Sequence, residues 1–94
     1  MISVYASNIS GTMALIFEKE IVEKEDLKEK MKIGIKILGI SRKDKYFERN
    51  VYIRRSLKQY STASLKMTII KKYAEPLGLK DGDIVNIEIL EKKY

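Results

Sequence analysis

Basic side chains that can bind a polyanion are concentrated in the middle of this 94-residue chain. Between Arg42 and Lys72 there are ten Arg or Lys residues and two acids, Asp44 and Glu48, so this segment carries +8 whereas the whole chain carries +6. In DNA-binding proteins Lys mostly contacts phosphates, and the planar Arg side chain also pairs with base edges. The cluster therefore predicts a nucleic-acid-binding surface, and the alternative interpretation is a solvated, Lys-rich surface.

Seven of these cations are predicted to contact DNA. Arg54 and Arg55 lie on a predicted strand, where the alternative is a surface ion pair with Glu48 or Glu88. The seven predicted residues are Arg49, Arg54, Arg55, Lys58, Lys66, Lys71 and Lys72. The last two of them stand at the start of a predicted helix, where free backbone N–H groups favour anions.

Two residue types that are common in active sites and metal sites are missing, and the carboxylates lie mostly among lysines, as on a solvated surface. The chain has no His and no Cys, which removes the commonest general base, the commonest metal ligand and any disulfide. We therefore expect that the protein is not an enzyme, has no catalytic residues, and binds no metal or cofactor. No apolar run approaches the ~20 residues that a membrane span needs, so we expect a cytoplasmic protein without a membrane partner.

The second half of the chain alternates apolar and polar residues in three places, which predicts three strands, at 51–58, 65–69 and 85–89. Between the last two strands, Lys71–Leu77 is predicted to be a short helix that ends at Gly78 in the left-handed conformation. The turn Asp81-Gly82-Asp83 then leads into the final strand. This half is therefore predicted to be mainly β with one short helix.

The first half predicts a similar order of elements: strands at 2–5 and 13–17, a helix at 20–31 and a strand at 33–38. Ile16 lies 53 positions before Ile69, and Ile35 lies 52 before Ile87, which suggests a degenerate twofold repeat with halves 1–47 and 48–94. Chance similarity is the alternative. Residues 41–49 are predicted to connect the halves, either as a flexible basic arm or as a solubilising linker.

One stretch of the second half resembles a known family. Ser64-Leu65, Thr68-Ile69 and the run Leu77-Gly78-Leu79-Lys80-Asp81-Gly82-Asp83-Ile84-Val85 follow a basic strand. In this respect residues 51–90 resemble the AbrB/SpoVT family of swapped-hairpin DNA-binding domains, which includes MazE-type antitoxins, and archaeal members in particular. The chain departs from the family at Ile70, where Pro is usual, and in the turn 60–63, where Gly is common.

The resemblance implies a fold and a function. The fold would be a mainly β, AbrB-like swapped-hairpin barrel with short helices, formed by a homodimer or by the two halves of one chain as a pseudo-dimer. The function would be that of a transcriptional regulator that binds double-stranded DNA through a basic strand and loop. An antitoxin-like or adaptor protein whose main partner is another protein, bound through residues 1–47, is the alternative.

Overall fold

Alternating apolar residues build one seven-stranded antiparallel sheet in the computed structural model, which describes residues 1–94. In chain order the elements are β1 (Ile2–Ile9), β2 (Thr12–Phe17), α1 (Lys19–Lys24), β3 (Lys32–Arg42), β4 (Lys45–Ser56), β5 (Lys58–Gln59), β6 (Leu65–Ile69), α2 (Lys71–Leu77) and β7 (Ile84–Lys93). In the sheet the strand order is β4-β3-β7-β1-β2-β6-β5. The prediction of a mainly β fold with short helices is confirmed.

The hydrophobic core lies against one face of this sheet. Ile33, Ile35 and Ile37 of β3 and Ile87 of β7 have no exposed surface, because every second residue of each strand points to the same side. Leu77 of α2 packs into the same cluster. The two helices, of six and seven residues, lack the length and the apolar character that crossing a membrane requires.

The segment 41–49, predicted to be a connector, instead forms the tip of a long β3–β4 hairpin. The turn is at Lys43 and Asp44, and Lys43 adopts a positive φ of 56°. Phe47 pairs with Ile40 across the hairpin and packs against the core cluster. The prediction was wrong because the many charged residues of the segment are typical of a linker, and the pairing of Phe47 with Ile40 is not visible in the sequence.

The predicted helix at 20–31 is shorter than expected, since α1 ends at Lys24. Asp26 adopts a φ of 54°, which ends the helix, and the Leu27 backbone N–H bonds to the Val22 carbonyl oxygen at 2.9 Å. Leu27 and Met31 are buried as the apolar spacing suggested, but each of them follows a turn and neither is helical. A spacing of four residues fits a helix and this double turn equally well, which explains the error.

The second half contains its predicted elements, but the predicted strand 51–58 is divided at Leu57 between β4 and β5, and the predicted strand 85–89 lies within the longer β7. The predicted helix Lys71–Leu77 and strand 65–69 have the predicted bounds. Gly78 has a φ of 71° and Gly82 a φ of 90°, so both adopt the left-handed conformation that Gly tolerates without strain. The two outermost strands of the sheet, β4 and β5, are neighbours in the chain and are separated only by Leu57.

Candidate nucleic-acid interface

Four lysines form two like-charged pairs on the solvent side of the sheet. Lys58 on β5 lies directly opposite Lys66 on β6. Lys32 on β3 lies directly opposite Lys93 on β7, and its other neighbour is Ser56 on β4. We call these four residues the lysine row: Lys32, Lys58, Lys66 and Lys93.

The two pairs belong to one continuous surface. Ser56 and Lys58 are both exposed and flank the buried Leu57, so their side chains point to the same side of the chain. Ser56 therefore links the pair on β3 and β7 with the pair on β5 and β6. Two members of the row, Lys58 and Lys66, were predicted as DNA contacts.

Sequence reasoning missed the other two members, Lys32 and Lys93. They lie outside the basic segment 42–72 and join the row only through strand pairing. No local pattern distinguishes them from other surface lysines, because their neighbours come from distant parts of the chain.

The lysine row is electrostatically unfavourable in the protein by itself. Like charges directly opposite each other on neighbouring strands destabilise a sheet, whereas a pair of opposite charges there stabilises it by roughly 0.2–1 kcal/mol. The five salt bridges of the chain involve other cations, so no carboxylate lies within salt-bridge distance of the row. Such a surface is suited to bind a polyanion, which would supply the missing negative charge.

Arg54 borders the row but is engaged by an acid. Its Nε lies 3.0 Å from Oε1 of Glu91, so its partner is neither of the two acids, Glu48 and Glu88, that the sequence suggested. The Tyr52 hydroxyl donates to the same carboxylate at 2.9 Å, and this hydrogen bond raises the pKa of Tyr52. The Arg54 and Glu91 side chains are both about half exposed, at 47%, so a phosphate can reach Arg54 and compete with Glu91.

Other predicted contacts lie apart from the row, next to α2. Arg49 and Arg55 are on the opposite face of β4 from Arg54 because of the strand alternation. The Arg49 Nε donates to the Leu77 carbonyl oxygen at 3.2 Å, which satisfies an orphan carbonyl at the end of α2. The structure therefore divides the predicted residues between two surfaces.

Two of these cations, Arg55 and Lys72, lie close to the aromatic ring of Tyr73 on α2. The Arg55 guanidinium carbon lies 5.8 Å from the centre of the Tyr73 ring, and Lys72 Nζ lies 6.0 Å from it. These distances are compatible with cation–π attraction. Lys71 is not part of this group, because its ammonium lies 3.7 Å from the Glu75 carboxylate one turn along the helix.

The most strongly organised polar group is one that sequence reasoning did not single out. Asp83 is only 1% exposed, and Arg42 donates to both of its oxygens at 2.7 Å. The Lys80 backbone N–H donates to the same carboxylate at 2.8 Å, and Arg42 also donates to the Gly78 carbonyl oxygen at 2.7 Å. The only sequence signal was the turn Asp81-Gly82-Asp83, which gives no sign of which Asp is buried.

This arrangement sets the protonation of Asp83. Burial alone would raise the pKa of its carboxyl group. The hydrogen bonds from Arg42 and from the Lys80 backbone, together with the positive charge of Arg42, outweigh burial and hold the pKa below its ordinary value. Arg42 therefore closes the end of the hairpin as a structural residue and is not part of a free basic arm.

Comparisons of the chain with protein-family models, with curated proteins and with solved structures gave no match. The relation to the AbrB/SpoVT family therefore depends on the residues quoted from 51–90, and it stays a prediction. The fold and the lysine row are the observations from which a function has to be argued.

Proposed function

We propose that the chain is a DNA-binding regulator of transcription of the AbrB/SpoVT type, which would act on cytoplasmic DNA. The lysine row is the observation that carries this proposal. The two like-charged pairs lower the stability of the sheet, and none of the four lysines has a salt bridge. A bound polyanion would restore that stability.

The strand order supports the finer fold that this family implies. The first and last strands of the sheet are consecutive in the chain, with one residue between them, so a sheet that curves fully would close into a barrel. Strands of the two halves also interleave, since β1 and β3 pair with β7 and β2 pairs with β6. We propose a barrel of the swapped-hairpin type on these grounds.

Binding would be electrostatic in the first instance. The four lysines would replace counterions along the phosphate backbone, and the release of those ions would drive association. Arg54 would exchange its pair with Glu91 for a phosphate or a base edge. Arg49, Arg55, Lys71 and Lys72 stay predicted contacts of a second surface, whose contribution can be measured separately.

The test is a titration of labelled duplex DNA at two salt concentrations, about 50 and 200 mM. If four to five phosphate contacts form, the affinity should fall at least about 100-fold between them. Binding that does not weaken with salt, or no binding at the lower concentration, contradicts the proposal. A stoichiometric protein partner captured by a chain that binds no DNA would favour the adaptor function.

Separate Ala variants of Arg54 and Arg55 then identify the surface, because the two side chains lie on opposite faces of β4. We expect Arg54→Ala to weaken binding about tenfold and Arg55→Ala to weaken it less. The reverse order would move the site from the lysine row to the surface beside α2. Circular dichroism of both variants controls for folding.

A further inference from the structure

Backbone hydrogen bonds outside the strands occur twice, at positions 52 residues apart. The Leu27 N–H bonds to the Val22 oxygen, and the Leu79 N–H bonds to the Ala74 oxygen. The bond from the Asp26 N–H to the Glu23 oxygen likewise recurs from Gly78 to Glu75. The bond from the Met31 N–H to the Lys28 oxygen recurs from Asp83 to Lys80. Both helices also begin at equivalent positions, with N-caps at Glu18 and Ile70.

The special backbone conformations repeat in the same way. Asp26 and Gly78 both have a positive φ, of 54° and 71°, and so do Lys30 and Gly82, at 74° and 90°. Leu38 of β3 is left out of the pairing with β7, and Leu90 of β7 is left out of the pairing with β3. These two bulge residues are again 52 positions apart and are both Leu.

Strand pairing fixes a twofold axis between the two copies. Lys36 pairs with Glu88 and Leu15 pairs with Met67, so in each case a residue lies opposite its own counterpart 52 positions later. Only a twofold rotation places equivalent residues of two antiparallel strands opposite each other. The Ala6 N–H donates to the Asp83 oxygen, and the Leu57 N–H donates to the Met31 oxygen. Met31 and Asp83 are 52 positions apart but Ala6 and Leu57 are 51 apart, so the offset is 51 for β1 and the β4–β5 segment.

We infer that one chain is by itself a pseudo-dimer, in which only one of the two related faces carries the polyanion site. A single chain therefore binds one duplex, at a site without twofold symmetry. The inference rests on the proposed function. It follows from what occupies the counterpart positions of the basic surface. In the other copy, Lys32, Arg54, Lys58, Lys66 and Lys93 are replaced by Ile84, Ser3, Ser7, Ala14 and Ser41.

The pairing of these counterparts verifies the assignment. Ser7 lies opposite Ala14, as Lys58 lies opposite Lys66. Ser41 likewise lies opposite Ile84, as Lys93 lies opposite Lys32. The two faces therefore share a backbone arrangement, but only the face with the lysine row is positively charged. A polyanion is attracted to that face and not to its counterpart.

The consequence distinguishes this chain from a symmetric dimer. A homodimer presents two identical basic surfaces, and its binding sites mirror that symmetry as paired half-sites. A one-sided pseudo-dimer has no symmetry-related copy of its lysine row, so a second half-site would add no affinity.

The experiment measures the mass of the complex by native mass spectrometry, with the full chain and excess duplex of about 12 base pairs. Such a duplex is about 40 Å long, longer than the 32 Å maximal extent of the protein. We expect one chain and one duplex. Two chains in the complex, or two duplexes on one chain, would overturn the inference and leave DNA binding intact, whereas no complex at low salt would overturn both.

A graft variant tests the counterpart surface directly. Ser3→Arg, Ser7→Lys and Ile84→Lys rebuild cations on the second face, where these residues are exposed or half-buried. We expect this triple variant to bind a second duplex. The matched control, Asn50→Arg, Thr62→Lys and Ala63→Lys, adds the same charge at exposed positions outside that face and should bind one. A folded graft variant that also binds only one duplex contradicts the inference.

Discussion

Replacement of Lys66 by Glu is expected to stabilise the folded chain and to weaken DNA binding at the same time. In the native sheet Lys66 lies opposite Lys58, so the variant converts a like-charged pair into an opposite-charged one. We expect the free energy of unfolding to rise by about 0.5 kcal/mol and the affinity for duplex to fall at least about tenfold. Urea unfolding and fluorescence titration measure the two effects.

The opposite signs are what separate a binding role from a structural one. A lysine needed for folding would lose stability on replacement by Glu, and a lysine needed only for solubility would leave the affinity for duplex unchanged. Lys45→Glu is the matched control, because Lys45 is exposed, lies at the far end of the β3–β4 hairpin and undergoes the same charge change. If both variants weaken binding equally, the effect comes from net charge and the lysine row is not the site.

Replacement of Asp83 by Ala is expected to produce the largest loss of stability. The substitution leaves Arg42, which is 29% exposed, without its carboxylate, and leaves the Lys80 N–H without its acceptor. Removal of one partner from a buried ion pair costs about 3–5 kcal/mol, and we expect about 3 because Arg42 reaches solvent. Urea unfolding at pH 7 measures this loss.

Asp81→Ala is the control in the same turn. The Asp81 carboxylate is exposed and accepts one hydrogen bond, from the Asn8 backbone N–H at 2.7 Å. We expect its loss to cost about 1 kcal/mol. Equal costs for the two variants would show that the turn as a whole, and not the buried pair, determines stability.

The pH dependence of stability should depend on Asp83 as well. Its pKa in the folded chain lies below the ordinary value of about 3.9. The unfolded chain therefore binds the proton more readily, and the stabilisation by Asp83 is fully present above pH ~4 and is lost as the pH falls further. Unfolding of the wild type and of Asp83→Asn between pH 7 and pH 2.5 should show a smaller acid loss in the variant.

Patterns of near neighbours in the sequence predicted correctly those elements that end at a Gly or where the apolar alternation stops. The bounds of β6 and α2 and the left-handed Gly78 and Gly82 follow from apolar alternation and from Gly at chain reversals. The same reasoning failed at Asp26 and Lys43, which adopt a positive φ without being Gly. Lys43 lies in the tight turn that the β3–β4 pairing closes, and Asp26 lies in a turn formed by local backbone hydrogen bonds. Neither residue type predicts a positive φ.

The sequence by itself determined that the chain is mainly β, lacks His and Cys, and concentrates positive charge between residues 42 and 72. These properties depend on composition and on near neighbours, which a sequence contains completely. Only the tertiary structure decided that Arg42 is bound to a buried Asp83 and that Lys32 and Lys93 join Lys58 and Lys66. Those contacts join residues far apart in the chain, and strand register, which sets them, depends on the packing of the whole sheet.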